Sequence, residues 1–182
     1  MKFVPTDLPE VVRIVPTVYE DERGYFMETW QDRRFHEGGI DLNFVQDNFS
    51  QSSKGTLRGL HYQIEQAQGK LVRVVSGEVF DVVVDLRRSS RNFGKWVGEI
   101  LSADNKHQLW VPPGFAHGFL VLSDTAKFEY KCTDYYAPEF ERSVRWDDPE
   151  IGISWPLEKG EQPVLSPKDR EAPLLRDADT YQ

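Results

Sequence analysis

Apolar and polar residues alternate along most of this chain, and turn residues interrupt them about every eight to twelve positions. A period of two is what a strand with one buried face requires, so the pattern predicts many short strands and few helices. The clearest stretch is 71–86. Val72 and Val74 lead to a turn at Ser76-Gly77, after which Phe80, Val82, Val84 and Leu86 alternate with Val79, Asp81, Val83 and Asp85. This reads as two strands around a tight turn, the second rich in β-branched residues. Further strands are predicted at 11–15, 24–29, 44–52, 98–101, 108–111, 118–122, 127–133 and 144–146. Short helices are predicted only at 31–37 and 167–171. Such a chain folds as a sandwich or jelly roll. Its 182 residues suit a single domain, 1–182, with an irregular Pro-rich tail from about 156 that wraps the barrel.

The net charge of -8 argues against non-specific binding to nucleic acid or an acidic membrane, which needs a basic face. It leaves room for an anionic small molecule, since a few arginines set the field of a cleft. Cys132 is the sole cysteine, so no internal disulfide forms and a reducing compartment suits the chain. No run approaches the roughly 18 apolar residues of a membrane span, and Met1 to Arg13 lacks the order of a signal peptide. The expectation is a cytoplasmic protein.

Two segments carry most of the chemistry: Arg58-Gly59-Leu60-His61-Tyr62-Gln63 and Pro112-Pro113-Gly114-Phe115-Ala116-His117-Gly118-Phe119. Each sets one histidine at a fixed offset from glycine among short strands, as a cupin-type double-stranded β-helix does. Metal-binding members of that class carry His-x-His in the first segment. Gln63 stands in place of the second histidine, so no metal is expected.

A neutral imidazole can take a proton at physiological pH if its other nitrogen is held, which makes His61 a candidate base. Asp169 is a candidate holder, although an Asp after Ser-Pro-Lys is more often a helix-capping or surface residue. Period-two geometry puts Lys127, Glu129 and Lys131 on one face and Phe128, Tyr130 and Cys132 on the other. The charged face belongs in water, so Tyr130 points inward as a structural tyrosine or an acid. Lys70, at the head of the strongest strand, is either solvated or placed to stabilise an enolate. Arg23 and Arg58 can fork onto a diphosphate, or sit as a turn residue and a surface ion pair. Gln46-Asp47-Asn48 either recognises a base or sugar or ends a strand. Phosphate loops, dinucleotide loops and the nucleophile elbow are absent from the sequence.

Together the segments resemble the dTDP-4-dehydrorhamnose 3,5-epimerase family. The likeness rests on Asp21-Glu22-Arg23-Gly24-Tyr25-Phe26-Met27-Glu28, Phe44-Val45-Gln46-Asp47-Asn48-Phe49-Ser50, Leu57 to Gln63 and Gln68-Gly69-Lys70-Leu71-Val72-Arg73. It continues through Gly77 to Asp81, Pro113 to Phe119 and Tyr130 to Tyr136, and spans about Asp21 to Asp169. The resemblance implies a cofactor-free cupin-type homodimer acting on a dTDP-linked 4-keto-6-deoxyhexose. It implies His61 as base, Asp169 as its partner, Tyr130 as acid and Lys70 near the C4 oxygen. It implies substrate contacts at Arg23, Glu28, Gln46, Asp47, Asn48, Arg58, His117, Glu141 and Lys168, with Arg23 and Glu28 reaching a neighbouring subunit.

Three rivals stand beside it. A single-centre epimerase would share these motifs and invert only C3 or only C5. A metal-dependent cupin would use His61 and His117 with a carboxylate. A non-catalytic sugar-nucleotide module would keep its affinity without His61 or Tyr130.

Overall fold

Patterning of period two becomes strands in the computed structural model, which describes residues 1–158 and 160–182. In chain order the first are β1 (Lys2–Pro5), β2 (Val12–Val15), β3 (Val18–Asp21), β4 (Gly24–Met27), β5 (Gln46–Ser53) and β6 (Leu57–Gln63). Next come β7 (Lys70–Ser76), β8 (Glu78–Asp85), β9 (Trp96–Ser102) and β10 (Gln108–Val111). The last are β11 (Phe115–Val121), β12 (Thr125–Cys132) and β13 (Glu141–Ser143). One sheet runs β1-β2-β10-β7-β12-β5 and faces a second, β13-β6-β11-β8-β9, while β3 and β4 form a separate ribbon. Val72, Val74, Leu109 and Phe128 from the first sheet pack against Val79, Val83, Phe115 and Phe119 from the second. This is the mainly-β, cupin-type arrangement expected, with sheets that do not close into a continuous barrel.

The stretch 71–86 is two strands, as predicted, but not a hairpin. β7 pairs with β10 and β12, whereas β8 pairs with β9 and β11, so the chain turns a corner from one sheet to the other. Gly77 makes that corner at φ +82, where an added Cβ would lie 2.1 Å from the Thr125 carbonyl oxygen. Alternation identifies a strand; it does not name the strand's partner.

β8 is also buried on both faces. Val79 and Val83 enter the inter-sheet core, while Val82 and Val84 lie under the C-terminal segment with Ile151, Leu175 and Ala178. On the outside of the six-stranded sheet, Phe35 and Ile40 cover Ile14, Leu71 and Trp110.

Other boundaries move for identifiable reasons. The strand expected at 144–146 is β13 instead, paired with β6 over Glu141 to Ser143. Val144 still exchanges backbone hydrogen bonds with Leu60, but the chain then bends, with Arg145 turned to Asp147 at 2.7 Å. β1 and β3 have no fully buried residue, so no buried face announced them. β4 stops at Met27 and β5 starts at Gln46, while β9 and β11 begin two and three residues earlier than predicted.

Helix α1 (Asp32–Glu37) starts where the Gln31 side chain accepts from the Arg34 amide at 2.7 Å. Helix α2 (Pro167–Arg170) starts at Ser166, whose hydroxyl accepts from the Asp169 amide at 3.1 Å, with proline in the first turn. The tail is tied down by bridges Thr56–Val164 and Arg87–Tyr181, and the Tyr62 hydroxyl donates to the Asp179 carbonyl. Lys159, inside that tail, lies outside the described residues. Among the described residues no helix is long and apolar enough to cross a membrane.

Candidate active site

β6 and β11 lie side by side with His61 opposite His117. Their approach depends on Gly59, at φ +131, where a Cβ would sit 2.6 Å from Gly118 Cα. Across the core, β12 and β7 bring Tyr130 opposite Val72 and Cys132 opposite Lys70. Between the sheets is a cavity of about 260 Å³ whose polar lining includes Asn48, Arg58, His61, Lys70, His117 and Tyr130. Larger clefts lie under the N-terminal strands and beside Trp96, but their linings gather no histidine or tyrosine.

Asp169 stands behind His61, its Oδ1 2.5 Å from Nε2. Because Asp169 sits one turn into α2, Ser166 both caps the helix and donates its hydroxyl to Oδ2 at 2.8 Å. Burial disfavours the Asp169 charge, yet the His61 hydrogen bond and charge, with Ser166 and Lys168, outweigh it and hold the carboxyl below its usual range. His61 Nδ1 is hydrogen-bonded to none of the described residues, leaving it free to meet a ligand. Tyr130 points into the barrel as its strand pattern predicted, and none of the described residues hydrogen-bonds its hydroxyl. Burial raises its pKa, with the neighbouring Cys132 adding to the effect and Arg58 opposing it.

Burial also lowers the pKa of Lys70, against the pull of Cys132, Glu141 and Asp81. A desolvated ammonium is a strong partner for a new oxyanion, because little water competes for it. Cys132 is fully buried and burial raises its thiol, so it is not the thiolate that nucleophilic work requires.

Of the remaining predicted residues, Arg58 and Asn48 line the cavity, and Arg58 donates to the Ser52 hydroxyl at 3.0 Å. Gln46 donates to Asn48 at 3.1 Å. Glu141 sits close enough for the charge of His61 to act on it, and it pairs with Lys168. Asp47 instead turns to Lys131 at 3.0 Å. Arg23 and Glu28 do not line the cavity at all: they pair with Asp21 and Arg34, on and just beyond the β3–β4 ribbon.

Sequence reasoning missed Asp81. Its carboxylate accepts from His117 Nε2 at 2.9 and 3.0 Å, and it is entirely buried. Burial raises its pKa, outweighing the lowering by His117. A lone aspartate on the inward face between Val79 and Val83 was the available signal. Gln63, read as a lost metal ligand, spends its carboxamide on backbone groups of residues 66, 135 and 137. Among the described residues no three His, Cys, Asp or Glu side chains converge as metal ligands would.

The cavity lies between the two sheets of a cupin-type fold. The family model described as dTDP-4-dehydrorhamnose 3,5-epimerase matches residues 5–177. The chain belongs to that family. It is 56% identical to the dTDP-4-dehydrorhamnose 3,5-epimerase of Pseudomonas aeruginosa over 182 residues, covering 100% of this chain and 99% of the relative. Among solved structures it resembles the dTDP-6-deoxy-D-glucose-3,5-epimerase of Legionella pneumophila in complex with dTDP-4-keto-L-rhamnose. That match has a TM-score of 0.94 and 56% identity over 100% of this chain and 98% of that one. A 3′-monoepimerase of Streptomyces bikiniensis in complex with dTDP-quinovose matches at 0.88 and 35%, over 94% of this chain and 87% of that one.

Proposed function

We propose that this chain inverts C3 and C5 of dTDP-4-dehydro-6-deoxy-D-glucose, giving dTDP-4-dehydro-L-rhamnose. The observation that carries the proposal is one cavity holding a carboxylate-backed histidine, a half-buried tyrosine and a desolvated lysine. Hydrogens at C3 and C5 are acidic because each is α to the C4 ketone. His61 takes one of them, and Asp169 holds the imidazole and offsets the positive charge it gains. The electrons move onto the C4 oxygen, where Lys70 meets the enolate. Tyr130 returns a proton to the carbon from the other face, which inverts the centre. Solvent takes the proton from His61 and restores the one on Tyr130, and the cycle repeats at the second carbon. No step of this scheme draws on a metal or a redox cofactor.

Arg58, with Asn48 and Gln46 near it, binds the nucleotide portion, and Glu141, Lys168 and His117 contact the sugar or its diphosphate. Asp47 is a further substrate contact, and Arg23 and Glu28 bind across a homodimer interface. Support for that assembly comes from the β3–β4 ribbon, which leaves Phe26 70% exposed and Tyr25 beside it. Double inversion is preferred to the single-centre alternative because the double epimerases match at 56% identity and the monoepimerase at 35%.

Proton NMR of the substrate with this protein in D2O tests the proposal. Deuterium at both C3 and C5, with the L-lyxo ketosugar trapped by a reductase, is the expected result. Exchange and inversion at one carbon alone would identify a single-centre enzyme, and exchange at neither would remove the epimerase.

A further inference from the structure

Gln63 is buried to 3% exposure, and its carboxamide is fully used. Nε2 donates to the carbonyls of Gln66 at 2.8 Å and Tyr135 at 3.2 Å, while Oε1 accepts from the Ala137 amide at 2.9 Å. Only a carboxamide offers two donors and an acceptor from one planar head; a carboxylate has no donor, and a neutral imidazole has one. Two of these bonds pin the loop 134–137 against the end of β6, and the third holds the turn at Gln66. The same loop is held at a second point, where the Tyr136 amide donates to Gln46 Oε1 at 2.9 Å.

From the loop, the Tyr136 hydroxyl donates to Glu141 Oε2 at 3.0 Å, and the other oxygen of Glu141 pairs with Lys168. Lys168 precedes Asp169 in the four-residue α2. Glu141 in turn lies opposite Gln63 in the β13–β6 ladder. The contacts therefore form a closed path: Gln63, the loop, Tyr136, Glu141, Lys168, Asp169, His61 and back along β6.

We propose that Gln63 is a positioning residue for the His61–Asp169 pair, acting through Tyr136 and Glu141 to seat α2 behind the imidazole. The glutamine in place of a second cupin histidine thus has its own task in proton transfer. This inference rests on the epimerase reading for its kinetic consequence but not for its structural one.

The test is a cycle of Gln63→Met, Tyr136→Phe and the double variant, read in two ways. The first readout is the low-field proton resonance shared by His61 Nε2 and Asp169, observed at a temperature where each protein is folded. The second is deuterium exchange at saturating substrate. Gln63→Met is expected to shift or broaden the resonance and to slow exchange about tenfold, Tyr136→Phe about threefold, and the pair no more than Gln63→Met alone. Additive losses overturn the proposal, as does a lowered melting temperature with resonance and rate unchanged. If Gln63→Met does not fold, Tyr136→Phe decides, since it keeps every bond of Gln63: an unmoved resonance overturns the path. Wild-type protein that exchanges no substrate hydrogen defeats the epimerase reading, while the resonance still judges Gln63.

Discussion

His61 and His117 line the same cavity, each with an aspartate behind it, yet the two pairs are built differently. The His61 side chain is 30% exposed, and Asp169 keeps a hydroxyl and a nearby lysine that favour its charge. The His117 side chain is 9% exposed, and Asp81 behind it has no exposed surface. The partners of the first carboxyl overcome burial and hold it down, whereas burial leaves the second raised. A pair whose carboxylate stays ionised can follow a proton on and off the imidazole. A pair sealed in apolar surroundings, stacked on Phe128 at 6.1 Å, holds its ring in place. The lesson is that the same two residue types can suit proton transfer or fixed hydrogen bonding, according to what surrounds the carboxylate.

The largest expected difference between them is kinetic. His61→Ala should slow α-hydrogen exchange by about 10³-fold or more, and His117→Ala by about tenfold, the worth of one hydrogen bond. Equal losses, read by NMR in D2O, would erase the distinction. Lys70→Met comes next. It should cost about 10² in exchange, yet raise the melting temperature by about 2–4 °C, because it removes a desolvated ammonium from the core. A melting temperature that falls would mean the ammonium is well paired when the site is empty.

The smallest and sharpest effect is a difference of sign in pH dependence. Asp169 is held below its ordinary value of 3.8. The stability it contributes is therefore in full above that value and drains away as the pH falls through its folded pKa. Asp81 is raised above 3.8, so ionising it in the unfolded chain costs the folded protein stability as pH rises through that window. Melting curves from about pH 2 to pH 6 should show the gap between wild type and Asp169→Asn widening up to about pH 4 and then holding level, and the gap to Asp81→Asn narrowing above about pH 4. Slopes of the same sign would show that both carboxyls are equally ionised.

Much of this was legible in the residues. The limits of β10 match those read from the pattern, and the inward Tyr130 follows from the charges that alternate with it. The two segments that hold His61 and His117 stood out in the sequence, but their pairing as neighbouring strands did not. What stayed hidden depends on long separations. The partner of His61 is 108 residues away, and nothing local distinguishes an Asp that caps its own helix from one that also reaches across the barrel. Asp81 looked like the polar half of an alternating strand because the covering of its other face by residues 151–178 leaves no local trace.

The corner at Gly77 also governs how the molecule comes into being. It sends β7 and β8 into opposite sheets, so each must wait for partners made later, and the carboxylate behind His61 arrives last, with Asp169. During synthesis no leading fragment encloses the site; nearly the whole chain must clear the ribosome first. Pairings between such distant segments make folding slow and all-or-none. Turnover regained on dilution from denaturant would then rise in step with completion of both sheets, with no active half-built species ahead of it.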